Sequence, residues 1–218
     1  MIKIEKNTLE SSHQSQPVFT AGTPVIKAGI AMILIHGRGA TAHSILTLVN
    51  ELKRDDLAYL APQAANQSWY PYGFMTPIER NQPGISSGLQ VINDIIQQLN
   101  SQKIPREKII LLGFSQGACL VLEYVIRHAC RFGGVVGLSG GLIGPPGTKW
   151  DYPGNLDGTP VFLGCSDTDF HIPKERVEET AVIMHERGGF VDIRFYNGMG
   201  HTINQEEIEV VKEMIGKL

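Results

Sequence analysis

Short apolar runs rich in β-branched residues recur along the chain at 29–35, 57–61, 108–113, 132–138, 160–164 and 190–196. Each has the length and composition of a buried strand. Between them lie segments whose apolar residues fall at helical spacing. Ile45, Leu48 and Leu52 share one face, with Ser44 expected to cap that helix. Leu89, Ile92, Ile96 and Leu99 form a second face, and 116–130 reads as a third helix. A fourth helix starts near Pro173, carries Val177, Ala181 and Met184, and ends at Gly188 and Gly189. The last carries Ile208, Val211, Ile215 and Leu218. Strands and helices that alternate this regularly predict an α/β architecture, a mainly parallel central sheet with helices on both faces. No linker interrupts the pattern, so residues 1–218 read as one domain. Its polar opening segment, about 1–28, is expected to supply a first strand or hairpin. In such sheets ligands bind beyond the carboxyl ends of the strands. The loops that follow each strand are therefore where chemistry is sought.

The formal net charge of the 218 residues is -3, with both signs mixed along the chain. That favours neither a nucleic-acid partner nor a polybasic membrane anchor. The opening MIKIEKNTLESSHQSQ has no apolar core and is not a secretory signal. GIAMILI is too short to span a bilayer, so a cytoplasmic protein without a transmembrane segment is expected. Cys119, Cys130 and Cys165 lack metal-ligand spacing and read as free thiols. The histidines show no HxH or HxxxH pairing, so no metal is expected. GRGATAHS lacks the glycines and lysine of a phosphate-binding loop.

Gly113-Phe-Ser115-Gln-Gly117 sits between a strand and a helix. A corner that tight would make side chains two before and two after the serine collide, and glycine avoids the collision. This G-x-S-x-G elbow holds a hydroxyl above a sheet. The strand at 29–35 is followed by HGRGA, whose glycines let the backbone turn and expose amides. The N–H groups of Arg38 and Gln116 are candidates to hold the oxyanion of a tetrahedral intermediate. His36 is read as a hydrogen-bonded scaffold of that loop. GCSDTDFHIP follows the strand at 160–164 and brings Asp167, Asp169 and His171. NGMGHTI follows the last strand and brings His201. Serine, aspartate and histidine thus occur in the α/β-hydrolase order on separate loops. Spacing alone leaves both aspartates open. The long loop SWYPYGF supplies Trp69, Tyr70 and Phe74, which with Met75 are candidates to line an acyl groove. Leu142, Ile143 and Trp150 on a later loop are weaker candidates. The same residues admit a lactonase, a peptidase, or a ligand-binding protein without catalysis.

LIHGRGA, GFSQGA, the D-x-x-I-P of Asp169 to Pro173, and the Gly200-His201 pair resemble the small carboxylesterases related to acyl-protein thioesterases. This is the phospholipase/carboxylesterase family, and the resemblance runs from about Ala31 to the C-terminus. It implies an α/β-hydrolase fold without a large cap domain. It also implies a serine hydrolase of carboxylic esters or thioesters that needs no cofactor. In the resemblance Ser115, Asp169 and His201 form the triad, and Arg38 and Gln116 supply the oxyanion amides. Two features depart from the pattern. Arg38 stands where an aliphatic residue is usual, and SWYPYGF looks closer to dienelactone-hydrolase-like esterases. The Arg38 side chain is open to two readings: selection of anionic substrates, or a solvated arginine, free or tied to an acidic neighbour.

Overall fold

The computed structural model describes residues 13–218. The part of the polar opening segment at 1–12 lies outside the described residues. The elements follow in chain order: β1 (Val18–Gly22), β2 (Ile30–Ile35), α1 (Ala42–Leu46), β3 (Leu57–Pro62), α2 (Gly84–Ser101) and β4 (Ile109–Phe114). Then come α3 (Gln116–Arg127), β5 (Gly134–Leu138), β6 (Pro160–Ser166), α4 (Lys174–Glu186), β7 (Phe190–Tyr196) and α5 (Gln205–Gly216). They build a seven-stranded sheet in the order β1-β3-β2-β4-β5-β6-β7. β1 runs antiparallel to β3, and every other pairing is parallel.

Burial on both faces explains the unbroken apolar strands. All six residues of β2 are buried. Met32 and Leu34 pack with Ile45, Ile208, Val211 and Ile215, so α1 and α5 cover one face. Ile33 and Ile35 belong to the same core cluster as Ile92, Leu120 and Val177, and α2, α3 and α4 cover this other face, with α4 over β6 and β7. Among the described residues, no helix is long and apolar enough to cross a membrane.

The start of α1 differs from expectation. Thr41, not Ser44, is the N-cap, and it accepts from Ser44 N at 3.2 Å. Ser44 Oγ returns the bond by accepting from Thr41 N at 3.1 Å. Thr41 has the extended backbone a cap requires (φ -128, ψ 161), whereas Ser44 lies inside the first turn. The helix is only five residues and continues as a 3-10 turn, Thr47–Asn50, which carries Leu48.

The chain passes from β2 to β3 on one side and returns past β2 to β4 on the other. Strand order therefore reverses between β2 and β4, and a crevice opens at their carboxyl ends.

Candidate functional site

Ser115 alone turns the chain from β4 into α3, at φ 56 and ψ -121. A serine at positive φ is strained, and its surroundings must enforce that conformation. They do so by contact. A Cβ on Gly113 would lie 2.3 Å from Gly117 O, and one on Gly117 would lie 2.1 Å from Ile35 O. Ser115 N donates to Leu138 O at 2.9 Å, which ties the corner to β5.

The loop after β7 carries His201 to Ser115. His201 Nε2 and Ser115 Oγ are 2.8 Å apart, and His201 Nδ1 and Asp169 Oδ2 are 2.7 Å apart. The Asp169 carboxylate is fully buried. Its other oxygen accepts from His171 N at 2.8 Å and Ile172 N at 3.1 Å. Burial opposes its charge, but the hydrogen bonds from His201 and these amides hold its carboxyl below the usual range. Asp167 is placed differently. Its carboxylate accepts from Asn197 Nδ2 at 3.1 Å and Gly198 N at 2.9 Å. It braces the loop that presents His201 without touching the imidazole.

Gly37, Arg38, Ser115 and Gln116 line one cleft with His201. Among the described residues, neither Arg38 N nor Gln116 N donates to an acceptor. The two side chains do something the sequence did not suggest. Arg38 donates to Ser68 Oγ (3.0 Å), Pro71 O (2.9 Å) and Tyr72 O (2.6 Å). Gln116 accepts from Trp69 N at 2.9 Å and donates to Tyr70 O at 2.8 Å. Both clamp the segment 68–72. The Arg38 guanidinium is thus held by neutral oxygens and has no acidic partner among the described residues.

His36 is wholly buried, with Nδ1 2.7 Å from Gly37 O and Nε2 accepting from Ala64 N at 3.1 Å. Burial lowers its pKa, so it sits as a neutral scaffold under the loop. His13 plays a matching part and had no sequence signal. It is buried, with Nε2 2.9 Å from Trp69 O and Nδ1 accepting from Ala65 N at 3.1 Å.

The aromatic candidates divide. Tyr70 and Phe74 line the cleft, which has a volume of about 310 Å³. Trp69 and Met75 do not. Trp69 is fully buried, donates Nε1 to His36 O at 2.9 Å, and packs edge-on to His13. Met75 is half-buried against the core. Leu142, Ile143 and Trp150 are core residues, with Trp150 Nε1 donating to Ile143 O at 3.1 Å. Phe114, Ile172 and His171 complete the wall, the His171 ring lying edge-on to His201 at 4.8 Å. The three cysteines are free, and burial pushes Cys119 up to about 11 and Cys165 up to about 12. Among the described residues, no cluster of three or more His, Cys, Asp or Glu is placed to hold a metal ion.

The geometry has relatives. The model of the phospholipase/carboxylesterase family matches residues 23–218. Acyl-protein thioesterase 1 of Neurospora crassa is 26% identical over 84% of this chain and 84% of its own. That of Kluyveromyces lactis is 29% identical over 85% and 90%. A phospholipase/carboxylesterase structure from Dyadobacter fermentans superposes with a TM-score of 0.89 at 42% identity, covering 92% of this chain and 96% of that one. A Bacillus cereus carboxylesterase shares the fold, with a TM-score of 0.72 at 18% identity over 93% and 94%. The sheet is that of an α/β-hydrolase without a large cap, and the chain belongs to the phospholipase/carboxylesterase family.

Proposed function

We propose that the protein hydrolyses carboxylic esters or thioesters through an acyl-enzyme on Ser115. The observation that carries this reading is the unbroken line of short contacts from Asp169 through His201 to Ser115. With Nδ1–H donating to Asp169, the free lone pair of Nε2 faces the serine. Nε2 takes the Oγ proton as Oγ attacks the carbonyl carbon. The oxygen that becomes negative is received by the amides of Arg38 and Gln116, donors already fixed by the elbow and the β2 loop. The imidazolium, steadied by the buried Asp169, protonates the leaving alcohol or thiol. Water then gives a proton to Nε2 as its oxygen attacks the acyl carbon, and the imidazolium returns that proton to Ser115 Oγ as the acyl–oxygen bond breaks and the acid leaves.

Ser115→Ala should fold normally and lose kcat by on the order of 10⁶. A fluorophosphonate should label the wild type and not the variant. Near-normal turnover by the variant, or an unlabelled wild type, overturns the reading.

A further inference from the structure

The sheet ends on β7. Phe190 N donates to Thr159 O at 2.9 Å, and Asp167 N donates to Tyr196 O at 3.1 Å. Residues 190, 192, 194 and 196 therefore turn their backbone groups toward β6. Val191, Ile193 and Phe195 turn theirs outward, where these N–H and C=O groups have no partner among the described residues. Such an open row is a template for another strand, and proteins commonly blunt it with a short edge or with charge. β7 is not short, with seven residues against five in β1, the other edge. Its first residue, Phe190, is 74% exposed. Its two charged residues, Asp192 and Arg194, are opposite in sign and share one face. Within the chain Arg194 donates to Asp192 Oδ2 at 2.9 Å and to Glu206 Oε1 at 2.8 Å.

A strand of this sequence fits its own copy in one register. In an antiparallel pair, outward backbone groups must face outward backbone groups. A two-fold axis at Asp192 would set Asp192 against Asp192, and one at Arg194 would set Arg194 against Arg194. Like charges directly opposite destabilise a pair. An axis at Ile193 instead sets Asp192 against the copy's Arg194, and Phe190 against the copy's Tyr196. In that register all seven residues overlap, and every outward N–H meets an outward C=O. The charged and aromatic residues then fall at the pairs where side chains approach most closely. Charge alternates in sign around the axis. α4 lies over β6 and β7, so α4 and its copy would stand two strand spacings apart, about 10 Å, which is a helix-packing distance.

We propose that β7 is an interaction surface for a second copy of this chain, paired antiparallel about a two-fold axis at Ile193 to make one sheet across both chains. Phe190, which borders a groove with Val210 and Met214, leaves water against the copy's Tyr196. The association depends on no hydrolase chemistry.

The test is sedimentation velocity on the full chain from about 1 to 100 µM, the range in which a contact of this kind is measured. The wild type should be a dimer at the upper end. Asp192→Arg sets Arg against Arg across the axis, and Arg194→Asp sets Asp against Asp, so each variant alone should be monomeric. An equal mixture of the two restores both cross-axis pairs. It should therefore form a dimer that native mass spectrometry shows to hold one chain of each kind. The ion pair within a chain cannot produce that result, because each variant has lost it. Phe190→Ser changes an exposed side chain and should weaken the dimer about tenfold or more. If a charge variant loses the circular dichroism of the wild type, Phe190→Ser decides alone. A wild type that stays monomeric, a folded charge variant that dimerises as well as the wild type, a mixture of folded variants that stays monomeric, or an unchanged dissociation constant in Phe190→Ser overturns the proposal.

Discussion

At the scale of single residues, the two aspartates on the loop after β6 separate cleanly by partner. Asp169 meets the imidazole, whereas Asp167 meets the backbone and side chain of the His201 loop. Asp169→Asn should therefore cost roughly 10³- to 10⁴-fold in kcat, because an amide no longer selects the tautomer that leaves Nε2 basic. Asp167→Asn should cost about tenfold or less, since an amide oxygen still accepts from Gly198 N. Steady-state kinetics on one ester rank the two, and the reverse order would show that Asp167 supports the histidine. Spacing in the sequence could not make this distinction, because residues two apart point the same way if the segment is read as extended, whereas the chain turns at Asp167 and Thr168. Trp69 is a second limit of that kind. A tryptophan in a loop can line a groove or fill a core, and here the decision lies with a carbonyl at His36, far away in sequence.

At the scale of elements, the strand–serine–helix corner is legible because its requirement is local. Gly113 and Gly117 are spaced by the steric need of the turn itself. Gly117→Ala would drive a methyl group into Ile35 O, which is backbone and cannot swing aside. It should cost more than about 4 kcal/mol or abolish folding, as measured by urea unfolding. The cap of α1 was less legible, because Thr41 and Ser44 each carry a hydroxyl and only the backbone angles show which one precedes the helix. The cap of α5 carries a second testable device. Glu207 closes a capping box with Asn204, but its side chain is wholly buried and one carboxylate oxygen has no partner. Burial pushes its pKa from 4.5 up to about 7, against the smaller pull of the Asn204 amide. A carboxyl whose folded pKa is raised favours the folded state fully below pH 4.5 and loses that advantage as pH rises to 7. Glu207→Gln should thus match the wild type near pH 4 and exceed it above pH 7, by at most about 2–3 kcal/mol. Equal stability across that range would mean that Glu207 is ionised without penalty.

At the scale of the whole molecule, the sheet gathers loops from five strands at one end, and the side chains between those loops hold the cleft open. The alternation of apolar runs made the sheet readable, since the inner strands β2 to β6 are buried on both faces, while the edge strands β1 and β7 are partly exposed. The bonds between loops were not readable, because Arg38 and Gln116 reach partners about thirty and fifty residues away. Those bonds decide what the Arg38 side chain does. Its guanidinium is spent on Ser68, Pro71 and Tyr72, the segment that also carries Tyr70 into the cleft. It therefore ties the loop whose amide is proposed to receive the oxyanion to the segment that carries Tyr70 into the cleft. A group engaged by three neutral oxygens is a weak selector of substrate charge, although it is exposed at the mouth. Arg38→Leu removes the brace and leaves the loop backbone in place. It should lower kcat/KM for a neutral ester and for an anionic ester of equal acyl length by the same factor, about three- to tenfold, the loss of one or two partly exposed hydrogen bonds. The two factors should also remain equal when salt is raised, because screening acts on a charge pair and not on a brace to carbonyls. A larger loss for the anionic ester, shrinking with salt, would show that the guanidinium meets the substrate directly.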